Sequence, residues 1–246
     1  IRTVKNENTV KFLSGFAAIV GRPNVGKSTL MNAMVGEKVA IVSNRPQTTR
    51  NRIMGVATDK GWQIVFLDTP GLHKPRTRLG EYMVKSVQDA MDGIDVLLVL
   101  VDANEIGPQD RAIVEEMSAR KVKKILVLNK TDIVEEARLM AAIQSFAEAG
   151  YDAIVPISAR TGKGMDELKK LIVSYLPEGP KYFPDDMMTD QPERQICAEL
   201  VREKLLKCLD KEIPHGTAVE VTKFSERENG IIDLEVTIYC EKDSHK

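Results

Sequence analysis

Five short apolar runs constrain this chain more than any other feature: residues 12–20, 62–67, 96–101, 124–128 and 154–157. They are rich in Val, Ile and Leu and alternate little, which is the pattern of parallel strands buried on both faces. Each ends abruptly in glycine or polar residues, and helix-length stretches such as 108–120 and 133–149 separate most of them. This alternation predicts an α/β fold with a doubly wound, mostly parallel sheet. Open sheets of that kind bind ligands at the carboxyl ends of their strands. The residues just after the runs are therefore the ones to read for chemistry.

The first run leads into Gly21-Arg22-Pro23-Asn24-Val25-Gly26-Lys27-Ser28, which fits G-x-x-x-x-G-K-[ST]. Glycines let backbone N–H groups converge on a polyphosphate, and the helix that starts near Thr29 adds its dipole. Lys27 reaches the outer phosphates in such a P-loop, and the Ser28 hydroxyl ligates Mg²⁺. Residues 29–35 read as that helix, stopped at Gly36. The second run ends in Asp68-Thr69-Pro70-Gly71. Asp68 can hold Mg²⁺ through water, and Gly71 can offer its N–H to a γ-phosphate.

Asn129-Lys130-Thr131-Asp132 follows the fourth run, and Ser158-Ala159 follows the fifth. A carboxylate at Asp132 accepts two hydrogen bonds from the N1–H and N2 amino groups of guanine, a donor pair that adenine lacks. The Lys130 stem can cover the base, and an N–H of Ser158-Ala159 can meet guanine O6. Taken in order, these segments predict a P-loop G domain that binds GTP or GDP with Mg²⁺ and hydrolyses GTP.

Between the first two motifs lies a basic loop, Asn44-Arg45-Pro46-Gln47-Thr48-Thr49-Arg50. A threonine there completes the Mg²⁺ shell only while a γ-phosphate is present, so phosphate loss releases the loop. Thr49 is preferred to Thr48 for this role. The metal set is thus Ser28, Thr49 and Asp68, and the catalytic candidates are Lys27, Thr49, Gly71 and Asn24. Leu72 fills the slot where Ras-type switches carry a water-orienting glutamine. An apolar side chain cannot orient water, so intrinsic hydrolysis should be slow and depend on a partner or cation. Asn24 is a candidate to help seat K⁺ beside the phosphates.

The remaining sequence sets limits. The net charge of -1 points to no global attraction for nucleic acid. Cys197, Cys208 and Cys240 have no metal-like spacing and suit reduced thiols in a cytosol. No apolar run approaches the roughly 20 residues that span a bilayer. Residues 1–11 read as a flexible arm or a cloning remnant. Residues 177–193 carry Pro177, Pro180, Pro184 and Pro192 and read as an interdomain linker. Beyond it, apolar residues at helical spacing from Ile196 to Leu209 predict a helix. Alternation at Val219 and Val221, a turn at Glu228-Asn229-Gly230, and alternation from Ile232 to Cys240 predict a hairpin with one apolar and one wet face.

These motifs resemble the bacterial Era-type GTPases. Besides the P-loop, the resemblance is carried by Gln47-Thr48-Thr49-Arg50, by Asp68 through Leu72-His73-Lys74-Pro75, and by Asn129-Lys130-Thr131-Asp132. Pro192-Glu193-Arg194, Val201-Arg202-Glu203-Lys204 and Glu212-Ile213-Pro214-His215 extend it into the tail. It implies a G domain over residues 12–176 and, over 194–246, the N-terminal part of an α+β type II KH domain. Its expected partners are the 16S rRNA 3′ end and the 30S subunit during assembly. A cytoplasmic monomer, peripherally associated with the inner face of the cell membrane, is implied as well. The KH clamp is a G-x-x-G loop, and residues 194–246 contain none. That segment holds nine Lys/Arg against eleven Asp/Glu, a net of −2, so it is expected to hold RNA weakly. The other reading is a GTPase switch whose output is a protein or membrane surface, the basic loops at Arg45, Arg50 and Arg52 and at Lys74, Arg76 and Arg78 serving either.

Overall fold

The computed structural model describes residues 11–43, 48–49, 52–71, 91–208 and 217–240. The first unit runs β1 (Leu13–Val20), α1 (Lys27–Val35), β2 (Ile53–Asp59), β3 (Trp62–Asp68), β4 (Val96–Asp102), α2 (Pro108–Ser118), β5 (Lys123–Asn129), a 3₁₀ turn (Thr131–Ile133), α3 (Glu136–Ser145), β6 (Ala153–Pro156) and α4 (Met165–Tyr175). The second unit comprises α5 (Glu193–Cys208), β7 (Thr217–Glu226) and β8 (Ile232–Cys240).

Six strands form one sheet in the order β2-β3-β1-β4-β5-β6. All pairings are parallel except β2 with β3. The unbroken apolar runs follow from burial on both faces. Along β4, Val96, Leu98 and Leu100 enter the core beneath α1 and α4, while Leu97, Val99 and Val101 face the core beneath α2 and α3. Every residue of that strand is buried, so no polar alternation is possible. The register pairs Ile19 with Asp68 and Asp102 with Asn129, which brings the polar strand ends to one edge of the sheet.

Two elements escape the apolar-run reading. β2 is diluted by Gly55 and Ala57 and is antiparallel, and α4 is an amphipathic helix with only Met165, Leu168 and Ile172 buried. The segment expected as a plain linker, residues 177–193, is strapped to the sheet. Gln63, fully buried in β3, accepts from the backbone N–H of Tyr182 and Phe183 at 2.8 and 3.0 Å and donates to the Phe183 carbonyl at 2.9 Å. Farther along, the Met188 carbonyl accepts from Val56 N, and Thr189 Oγ1 donates to the Met54 carbonyl. These bonds satisfy the exposed edge of β2.

In the second unit α5 packs on β7, with Arg194 donating to the carbonyls of Val221 and Thr222, both at 2.7 Å. The hairpin has the expected alternation, but its apolar side is largely open: Leu234 and Ile238 are 37% and 45% exposed. A two-stranded ribbon with one helix has too few layers to bury it.

Candidate functional site

The strand ends and the following loops enclose a cleft of about 400 Å³ at the carboxyl edge of the sheet. One end is built from the P-loop. Gly26 has φ 101°, and a Cβ there would stand 2.3 Å from Asn129 Nδ2, so the turn into α1 admits only glycine. Lys27 opens α1 and its Nζ donates to the carbonyls of Gly21 and Arg22 at 3.2 and 3.0 Å. Ser28 Oγ donates to Asp68 Oδ2 at 2.6 Å and lies 3.1 Å from Thr49 Oγ1. Residues distant in sequence, Ser28, Thr49 and Asp68, thus present oxygens to one point. Asp68 lies fully buried beneath Ser28, and its Oδ1 has no hydrogen-bond partner among the described residues. A Cβ on Gly71 would meet Pro23 at 2.8 Å, so glycine is needed for this chain segment to reach the P-loop.

The electrostatics match this layout. Burial pushes the Asp68 carboxyl up to about 6, against the opposing pull of Lys27 and hydrogen bonds from Ser28, Thr69 and Thr49. Burial lowers Lys27 to about 8, with Asp68 opposing and Arg22 reinforcing the shift. Both ions are poorly solvated and suited to gaining partners of opposite sign.

The other end is built for a base. Asp132 Oδ1 accepts from the Ser158 hydroxyl at 2.6 Å, and Arg160 pairs with Oδ2. The Ser158 hydrogen bond holds this carboxyl below the usual range. Lys130, at φ 68°, pairs with Asp102 at 2.6 Å, which fixes its stem along the cleft. Pro23, Asn24, Lys27, Ser28, Thr29, Thr49 and Gly71 line the cleft with Asn129, Lys130, Asp132 and Ala159.

Several sequence-predicted contacts are turned into the protein instead. Asn129 donates from Nδ2 to the Val25 carbonyl at 2.8 Å and accepts the Ala159 N–H at 3.0 Å, bracing the P-loop against the last loop. The Ala159 N–H is thereby committed and would have to be shared to meet a base oxygen. Thr69 donates to the Ile19 carbonyl at 2.7 Å, and the Thr131 N–H donates to the Ile157 carbonyl. Val25 and Pro70 are buried. Arg22 points away, its Nε bridging both oxygens of buried Asp110 at 2.9 and 3.0 Å. Leu72 lies outside the described residues, as do residues 44–47, 50 and 73–78. Asp102, Asp110 and Arg160 were not singled out by sequence, since isolated acids and a loop arginine carry no motif.

A family model described as a 50S ribosome-binding GTPase matches residues 16–130. GTPase Era of Alkaliphilus metalliredigens is 55% identical over 240 residues, covering 96% of this chain and 81% of that protein. The chain belongs to the Era family of GTPases. Era of Aquifex aeolicus, solved as a point variant bound to GDP and AlF₄⁻, superposes with a TM-score of 0.89 at 37% identity, covering 95% of this chain and 81% of that one. An Era structure with MgGDPNP and nucleotides 1506–1542 of 16S ribosomal RNA superposes with a TM-score of 0.87, also at 37% identity, over 95% of this chain and 80% of that one. The likeness spans both units, so the α5–β7–β8 unit is an Era element as much as the G domain is.

Proposed function

We propose that this Era-family chain binds GTP with Mg²⁺, hydrolyses the γ-phosphate slowly, and acts through 16S rRNA in assembly of the small ribosomal subunit. The observation that carries the nucleotide reading is the pairing of two chemistries in one cleft. Lys27, Ser28, Thr49 and Asp68 gather at one end, and Asp132 with Ser158 at the other. The metal fits. Asp68 Oδ1 is a buried acceptor without a partner among the described residues, and two hydroxyls converge beside that carboxylate. Among the described residues no cluster of three or more His, Cys, Asp or Glu is present. One carboxylate with hydroxyl oxygens suits Mg²⁺, which takes its remaining ligands from phosphates and water. Bound there, Mg²⁺ supplies neutralisation of phosphate charge. With nucleotide bound, Lys27 would exchange the Gly21 and Arg22 carbonyls for the outer phosphates, the Gly71 N–H would meet the γ-phosphate, and the Thr49 hydroxyl would complete the metal shell. No glutamine follows Gly71, so the group that orients water comes from elsewhere, with Asn24 and K⁺ as one source.

The rRNA reading is supported by the relative solved with a 16S segment and by the shared second unit. A monomer in the cytoplasm with peripheral attachment to the inner membrane face is part of the same reading. Among the described residues no helix is long and apolar enough to cross a membrane.

The test is nucleotide selectivity. Asp132→Asn replaces one acceptor by a donor and should lower GTP and GDP affinity by about 100-fold or more, because it leaves guanine donors unpaired. Fluorescent-nucleotide titration measures this, with ATP as the control. Equal affinity of the wild-type chain for ATP and GTP would sink the proposal.

A further inference from the structure

Among the described residues, the loop between α1 and β2 is held from the second unit at two points. The Lys38 side chain and the Val42 N–H both meet Glu203, the latter at 3.4 Å, and the carbonyl of Thr48 accepts from an Nη of Arg202. Arg202 and Glu203 are neighbours on α5, only 3% and 1% exposed, and both face this loop. Glu199 one turn earlier grips the Arg202 guanidinium at Nε and Nη2, at 2.8 and 2.5 Å. A bidentate carboxylate both neutralises the buried cation and fixes the plane of its remaining donors. The other terminal nitrogen, Nη1, is buried with no partner among the described residues. Unpaired buried donors are costly and rare, and this one sits where α5 meets the loop.

Thr48 directly precedes Thr49, whose hydroxyl stands 3.1 Å from Ser28 Oγ. A hydrogen bond to the Thr48 carbonyl restrains the peptide plane joining the two residues, and through it the direction of Thr49. We infer that Arg202 of the second unit is a positioning residue for the Thr49 hydroxyl, holding the loop in the arrangement that a Mg²⁺-bound triphosphate requires. This rests on the reading of Thr49 as the hydroxyl that closes on the metal when a γ-phosphate is present. Because GDP lacks that phosphate, the restraint discriminates between nucleotides. By linkage, triphosphate binding in turn strengthens the hold of the loop on α5.

The experiment uses the full chain and measures affinities for Mg²⁺ with a non-hydrolysable GTP analogue and for Mg²⁺ with GDP. Arg202→Ala should weaken analogue binding by about fivefold or more while GDP binding changes less than about twofold. In a Thr49→Ala background the same change should add nothing further to the analogue loss, since both act through one hydroxyl. A purely structural role would lower both affinities together, or add fully to Thr49→Ala, and either result overturns the inference. So does an unchanged analogue-to-GDP ratio in folded Arg202→Ala. Should that variant lack a cooperative melt, Glu199→Gln decides instead: it keeps the guanidinium but loosens its grip, and must shift the ratio in the same direction. Wild-type chain that binds neither nucleotide would refute the proposed function itself, whereas normal wild-type binding with an unshifted ratio refutes only the role of Arg202.

Discussion

At the scale of single residues the site is a pair of opposite ions held out of water, and its pH behaviour follows from their protons. Asp68 must be ionised to serve a metal, yet burial raises it to about 6. Below that pH the metal has to displace a proton, and affinity should fall by up to tenfold per pH unit. Lys27 must be protonated to meet phosphate, yet burial lowers it to about 8. Above that pH binding has to take up a proton, and affinity should fall again. Titration of a non-hydrolysable GTP analogue with Mg²⁺ from pH 5 to 9.5, roughly one to two units beyond each value, should give a plateau between 6 and 8. Monotonic dependence across that range would show that these ions do not govern binding. Residue roles were only partly legible in sequence. Lys27, Ser28 and Asp132 fall where their motifs place them in the cleft, because each motif encodes a local backbone shape. Asn129, Arg22 and Thr69 sit in the same motifs but are spent on bracing, through partners 104, 88 and 50 residues away. No local pattern records such distances.

At the scale of elements, buried strands declare themselves and connecting pieces do not. β1, β3, β4 and β5 are recognisable because burial on both faces leaves them mostly apolar, with buried exceptions such as Ser14 and Gln63. The strap over residues 177–193 reads as a linker since its prolines disfavour regular structure, and the side chain that makes the most bonds to it is one glutamine in β3. Gln63 makes three bonds to the strap backbone and a fourth to Thr58 Oγ1 at 2.9 Å. Gln63→Ala removes them and strands buried N–H and carbonyl groups, so it should destabilise the first unit by about 2–4 kcal/mol. Urea denaturation measures the loss, and limited proteolysis should show faster cleavage near Tyr182 and Phe183. Cleavage and midpoint both matching wild type would mean that the other bonds of the strap, those of Pro177, Gly179, Met188 and Thr189 among them, hold it without Gln63.

At the scale of the whole molecule the two units differ in what holds them. The first has apolar clusters on both faces of a six-stranded sheet, whereas the second is a helix on a ribbon whose apolar side stays open. Heating should therefore give two transitions, the first from the α5–β7–β8 unit. A GTP analogue with Mg²⁺ at 100 times its dissociation constant should stabilise the G domain by about 2.7 kcal/mol and raise the upper transition. Its effect on the lower transition depends on the joint between the units. Glu203, almost fully buried, is paired there with Lys38 of the G domain and with Lys207 of its own helix at 2.7 Å. Through that joint, ligand should raise the lower transition as well, since melting α5 would expose groups that the liganded loop keeps engaged. Lys38→Ala removes the cross-unit ion pair of Glu203 while leaving Lys207 and the bonds to Val42 and Thr48, so the second unit still folds but its response to ligand should shrink. Calorimetry with and without ligand, on wild type and Lys38→Ala, reads both shifts. A lower transition that ignores ligand in wild type would show two units joined by the strap and not energetically coupled.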